Sequence, residues 1–114
     1  KIMHHDDFKA SVTCVRVPVY RAHSIAISAE FKKPVTVDAA MRVLSEAPGL
    51  DVVDDTQNNV YPLPLIASGK DHCEVGRLRL DCALDNGLCF WVAGDQLLKG
   101  AALNAVQIAE LLVS

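Results

Sequence analysis

Residues 87–95, GLCFWVAGD, constrain this chain more than any other stretch: they form a nearly continuous apolar run between Gly87 and Gly94. A strand with one wet face alternates apolar and polar residues, whereas a run without alternation is covered on both faces and belongs at the centre of a sheet. The fold must therefore supply neighbours for it. SIAISAEF (24–31) reads as one, with Ile25, Ile27 and Ala29 on a single face, and LDVVDD, beginning at Leu50, is a shorter one. EVGRLRLD (74–81) alternates Val75, Arg77 and Arg79 against Glu74, Gly76, Leu78 and Leu80. ASVTCVRVPV (10–19) is rich in β-branched residues and predicts a further strand, with Val12, Cys14 and Arg16 on one side. Pro18 has no N–H to donate and marks its end or edge.

Helical periodicity appears twice. Thr36 or Asp38 can cap a helix running to about Ala47, with Val37, Ala40, Met41 and Leu44 as its apolar stripe and Pro48-Gly49 as its stop. The last segment, DQLLKGAALNAVQIAELLVS, confines its polar positions to a narrow stripe of Gln96, Gly100, Asn104, Gln107 and Glu110. A helix so apolar is expected to lie between layers, and in a free-standing domain it would leave one apolar side in water. Glycine inside a helix costs ~1 kcal/mol relative to alanine, so Gly100 points to close approach of a backbone or a ligand. KIMHH (1–5) reads as a helix end, and TQNNVYPLPLIASGKD (56–71) as a long ordered loop fixed by Pro62 and Pro64. The order of elements predicts an α+β fold: a mixed, mainly antiparallel sheet with helices on one face.

Composition excludes several classes. A chain of 114 residues, 51% hydrophobic and 22% charged, suits one small domain with a core. A net charge of −3, with no basic patch, argues against nucleic acid as a partner. No apolar run reaches the ~20 residues of a membrane helix. The four cysteines, at 14, 73, 82 and 89, match no metal-site spacing and read as reduced thiols of a cytoplasmic protein. The adjacent His4 and His5 cannot share a helix face, and His72-Cys73 has no second ligand pair nearby, so no metal site is expected. Because the chain begins with Lys1, it is expected to be a piece of something longer.

RVPVYRAHS (16–24) carries the candidate chemistry. Arg16 either snorkels at a strand edge or grips a fixed anion, since guanidinium matches a carboxylate with two parallel hydrogen bonds. His23 opens the next strand, where an imidazole could carry protons near neutral pH across a cavity shared with Arg16. Arg77 and Arg79 point to one face, as suits substrate anions or, more readily, an interface or solvated charge.

RVPVYRAHS, AEFKKPV, NNVYPLPL, VGRLRLD and GDQLLKGAALNAVQIAEL, in that order, resemble the C-terminal part of aspartate-semialdehyde dehydrogenases. The resemblance implies the catalytic and dimerisation domain of the glyceraldehyde-3-phosphate dehydrogenase type over residues 1–94. It also implies a helix, 95–114, that returns to a nucleotide-binding domain. The implied activity is NADPH-dependent reduction of L-aspartyl 4-phosphate to aspartate semialdehyde and phosphate, serving lysine, methionine and threonine biosynthesis in a homodimer or tetramer. By motif, Arg16 resembles the arginine that binds the substrate carboxylate, His23 the acid/base, and Gln96 the amide residue that contacts NADP. Tyr61, with Pro62 and Pro64, is then expected at the subunit contact. A cysteine thiolate attacks the acyl phosphate, hydride reduces the resulting thioester, and His23 handles the protons. The family's Asn-Cys-x-Thr nucleophile, Gly-rich loop and Glu-x-x-Lys pair are not in these 114 residues, so this polypeptide alone is expected to be inactive. Ala22 also stands where the family often has Gly. The alternatives are an N-acetyl-glutamyl-phosphate reductase relative, which this motif disfavours, and a non-catalytic α+β dimerisation or ligand-binding module.

Overall fold

The computed structural model describes His4 and residues 6–113. Four strands form one sheet in the order β1-β4-β3-β2: β1 (His23–Glu30), β2 (Leu50–Val52), β3 (Cys73–Leu80) and β4 (Gly87–Gly94). The GLCFWVAG run is central, pairing antiparallel with β1 on one side and β3 on the other. β2 adds in parallel to β3 at the far edge. The sheet is therefore mixed and mainly antiparallel, as the sequence predicts.

Helix α1 (Val37–Ser45) begins where Thr36, and not Asp38, caps it: the Thr36 hydroxyl accepts from Ala39 N–H at 3.2 Å. The chain then turns at Gly49, with φ +77°, and enters β2. Val53 N–H still donates to Val75 O at 2.8 Å, after which the chain crosses over Gly76. That crossing ends β2 after three residues. The stretch read as a loop contains one short helix, α2 (Pro64–Ala67). Pro64 sits at its first turn, where a fixed φ and a missing N–H cost nothing. Ala67, the one buried residue of α2, packs with Ala22 and Ala93 and docks the helix on β4.

Three expectations need correction. First, residues 10–19 form no strand; the segment is irregular and exposed, and no ladder partner meets it among the described residues. β-branched composition favours extended backbone, but a strand also requires a neighbour to take its N–H and C=O groups. Second, β3 does not alternate as read. Val75 faces Val92 while Arg79 faces Cys89, because one extra residue is inserted between Gly76 and Arg79. This bulge, with Arg77 at φ +59°, moves Arg79 to the side of the sheet that Gly76 occupies. Asp54 Oδ2 accepts the bulge's Leu78 N–H at 2.8 Å, satisfying a donor that the ladder has lost. Third, the last helix starts with a π-helical turn, Leu98–Ala102, before α3 (Leu103–Val113). Gly100 N–H donates to Asp95 O and Ala102 N–H to Leu97 O, both five residues back. No residue of α3 is buried; Leu111 and Leu112 are about 80% exposed, at 78% and 81%. The helix end read at residues 1–5 lies, apart from His4, outside the described residues.

Candidate active site

His23 is the first residue of edge strand β1 and faces Gly94 across the ladder. A cavity of about 190 Å³ opens beside it, walled by His23, Ile25, Cys73, Val92, Gly94, Asp95, Gln96 and Gly100. Two of the sequence-derived candidates, His23 and Gln96, thus share one cavity although 73 positions apart in sequence. Arg16 does not join them. It lies on the exposed 10–19 segment and does not line the cavity, and no side-chain hydrogen bond or ion pair holds it among the described residues.

The turn that delivers His23 is unusual. Ala22 has φ +73°, a left-handed conformation that costs a residue with a Cβ ~1–2 kcal/mol. Two interactions hold it there: its side chain is buried against Ala67 and Ala93, and its N–H donates to Gln96 Oε1 at 2.9 Å. Because that oxygen is occupied, the Gln96 amide keeps its two N–H donors for other acceptors. Gly100, suspected of close packing, has only ordinary neighbours for an added Cβ, the nearest at 3.5 Å. Its bare backbone lies at the cavity wall.

Asp95 is the residue that sequence reading overlooked. It is 1% exposed, and its carboxylate gathers three segments. Oδ2 accepts from Gly69 N–H at 2.7 Å and lies 2.7 Å from Arg21 Nε, while Oδ1 accepts from Leu97 N–H at 2.9 Å. Burial pushes this carboxyl up, but the two N–H groups and the Arg21 charge outweigh it and hold it below the ordinary carboxylate range. The available signal was its place directly before the final helix, where Asp commonly accepts a backbone N–H.

Cys73 also lines the cavity. Burial raises its thiol, with the Lys99 charge opposing, so at neutral pH it is not the thiolate that nucleophilic catalysis needs. It packs tightly on Gly94: a Cβ there would lie 2.6 Å from Cys73 Sγ. Gly94→Ala is expected to cost about 1 kcal/mol, since Sγ must rotate away, and Cys73→Ala in the same chain should recover most of it. A double-mutant cycle of denaturation midpoints checks this; strictly additive losses would mean the two side chains do not meet.

The opposite side of the sheet carries a wider groove of about 840 Å³, whose lining includes Tyr61, Pro62, Arg77, Arg79 and Trp91. Arg77 and Arg79 do share a face, but the bulge, not simple alternation, puts them there. The Arg77 guanidinium lies 5.6 Å from the Tyr61 ring centroid, and Trp91 Nε1–H donates to Pro62 O at 3.2 Å. Among the described residues no cluster of His, Cys, Asp and Glu could hold a metal ion, and no helix is long and apolar enough to cross a membrane.

Comparison with known proteins follows the same lines. Residues 1–99 match the family model described as semialdehyde dehydrogenase, dimerisation domain. The aspartate-semialdehyde dehydrogenase of Aquifex aeolicus is 52% identical over 99% of this chain and 33% of its own length. That of Bacillus subtilis is 45% identical over 98% of the chain and 33% of its own length. Among solved structures, aspartate semialdehyde dehydrogenase II of Vibrio cholerae, complexed with ASA, superposes with TM-score 0.81 at 41% identity, covering 89% of this chain and 30% of that one. The chain thus spans about a third of the curated relatives it matches. It belongs to the semialdehyde dehydrogenase family, as that family's dimerisation domain.

Proposed function

We propose that this chain is the substrate-binding and dimerisation part of an NADPH-dependent aspartate-semialdehyde dehydrogenase of the cytoplasm. The full protein would reduce L-aspartyl 4-phosphate to aspartate semialdehyde, with release of phosphate. The observation that carries the reading is the near-complete coverage of the chain by relatives of that name at about half identity, 52% for the first. The cavity shared by His23 and Gln96 supports the reading. At about 190 Å³ it is below the ~300–1,000 Å³ of a typical ligand pocket. It suits the reacting end of a small substrate or of a cofactor, and a whole dinucleotide would need walls from elsewhere.

Each residue then has a role. His23 moves the proton of the oxygen at the reacting carbon, from a position fixed by the Ala22 turn. Gln96, with Oε1 held by Ala22 N–H, offers amide N–H groups to an acceptor on the cofactor. Bound NADPH supplies the hydride. Arg16 grips the substrate carboxylate once the 10–19 segment is packed, and the attacking cysteine lies outside these 114 residues. On the same reading α3 covers its exposed apolar side against a nucleotide-binding domain, and the Tyr61–Arg77–Trp91 groove faces the second subunit.

The test is an assay of the full-length protein in the reverse direction, following NADP reduction with aspartate semialdehyde and phosphate. Phosphate-dependent turnover, faster with NADP than with NAD, is expected; no turnover with either nucleotide would sink the proposal. Arg16→Lys should raise KM for the semialdehyde at least tenfold with a smaller change in kcat, because one ammonium cannot make a two-point grip. An unchanged KM would remove Arg16 from the substrate.

A further inference from the structure

Among the described residues His23 stands on an edge strand paired on one side, so its placement depends on what anchors the turn before it. That turn is tied at two consecutive residues to two consecutive residues. Ala22 N–H donates to Gln96 Oε1, and Arg21 pairs with Asp95. Asp95 itself lies between Gly94, which faces His23 in the ladder, and Gln96. Its carboxylate also holds Gly69 N–H after α2 and Leu97 N–H at the start of the last helix. A buried charge with this set of donors cannot shift without stranding itself or them, so it fixes three segments relative to one another.

We infer that Asp95, acting through Arg21 and the left-handed turn at Ala22, is the positioning residue that sets His23 and Gln96 against each other across the cavity. The assignment deepens the proposed function and rests on it for its catalytic meaning. Asp95 does no chemistry: its carboxylate is fully engaged by the protein. What it determines is the distance and angle between the proton carrier and the amide. Small errors of placement are costly in turnover, because reacting groups must be held in line.

The test uses the full-length protein with Asp95→Asn, in which an NH₂ group replaces one of the two oxygens and faces donors. Arg21→Met provides a second variant at the partly exposed end of the pair, where folding is less at risk; Arg21 is 38% exposed. In each, kcat is expected to fall at least tenfold while KM for the semialdehyde changes less than threefold, and Arg21→Lys should recover part of the loss. The double variant should be no worse than the weaker single variant, since both cut the same tie. The His23 imidazole resonances, identified by their loss in His23→Ala, should move in every variant that breaks the pair. A kcat within twofold of wild type and unmoved His23 resonances would overturn the inference, even if the thermal midpoint falls. Should the wild-type protein show no dehydrogenase activity, the proposed function fails, and the His23 resonances alone then decide whether Asp95 positions that side chain.

Discussion

In the full-length protein, His23→Ala should lower kcat by about 10²–10⁴, the usual contribution of a positioned general acid or base, with KM little changed. The size of the effect follows from the geometry. The imidazole is exposed at the cavity, no side-chain hydrogen bond occupies either ring nitrogen among the described residues, and the only strand beside it offers Gly94, which has no side chain to substitute. The thiol and carboxyl groups that also line the cavity are otherwise committed: burial pushes the Cys73 thiol up, and Asp95 accepts hydrogen bonds on both oxygens. His23→Asn keeps a polar group of similar size without the proton transfer, and should be as slow as the alanine variant. Steady-state kinetics of both variants, with phosphate saturating, decide the matter. A kcat within threefold of wild type would show that the proton travels by another route.

Gly76→Ala should produce the largest loss of stability of any single methyl added to this domain. A Cβ at Gly76 would lie 2.1 Å from Val53 O and 2.8 Å from Pro62 Cδ. Both obstacles are stiff: one is backbone fixed by the Val53–Val75 hydrogen bond, the other a proline ring buried under the groove. Neither can swing aside, unlike the sulfur opposite Gly94. Overpacking of this kind typically costs 1–3 kcal/mol, and about 3 kcal/mol is expected here because backbone must move. Displacing Val53 would also pull Asp54 from Leu78 N–H and loosen the bulge that carries Arg77. The expected readout is a lowered denaturation midpoint together with changed reactivity around the groove; a midpoint matching wild type would mean that the crossing at Val53 is looser than the structure shows.

Much of the fold could be read from residue pattern. The unalternating run at 87–94 announced the central strand, Thr36 and Pro48-Gly49 bracketed α1, and Ile25 and Ile27 marked the strand that carries His23. What the pattern could not show was pairing. Residues 10–19 have a strand's composition but no ladder partner among the described residues, and no local signal reports pairing either way. The bulge in β3 was equally hidden, since the only trace of an inserted residue is Arg77 at positive φ, a conformation that arginine does not advertise. At the site, His23 stands out by its place at the start of a strand as well as by motif resemblance, Gln96 by resemblance alone, and their shared cavity is a fact of three dimensions. Asp95 was passed over because buried carboxylates are rare and its partners lie 74 and 26 positions away in the chain.

The strand order β1-β4-β3-β2 has a consequence for how this domain is made. Among the described strands, the one bearing His23 comes first in the chain, yet the partner it pairs with, β4, comes last. Until Gly94 and Gln96 have emerged, β1 lacks the ladder partner described above and Ala22 the amide that holds it. Closing so long a loop is slow, and until it closes the strand's apolar face is open to other chains. The turn that carries His23 is therefore fixed late, only after residues 94–96 are available to hold it.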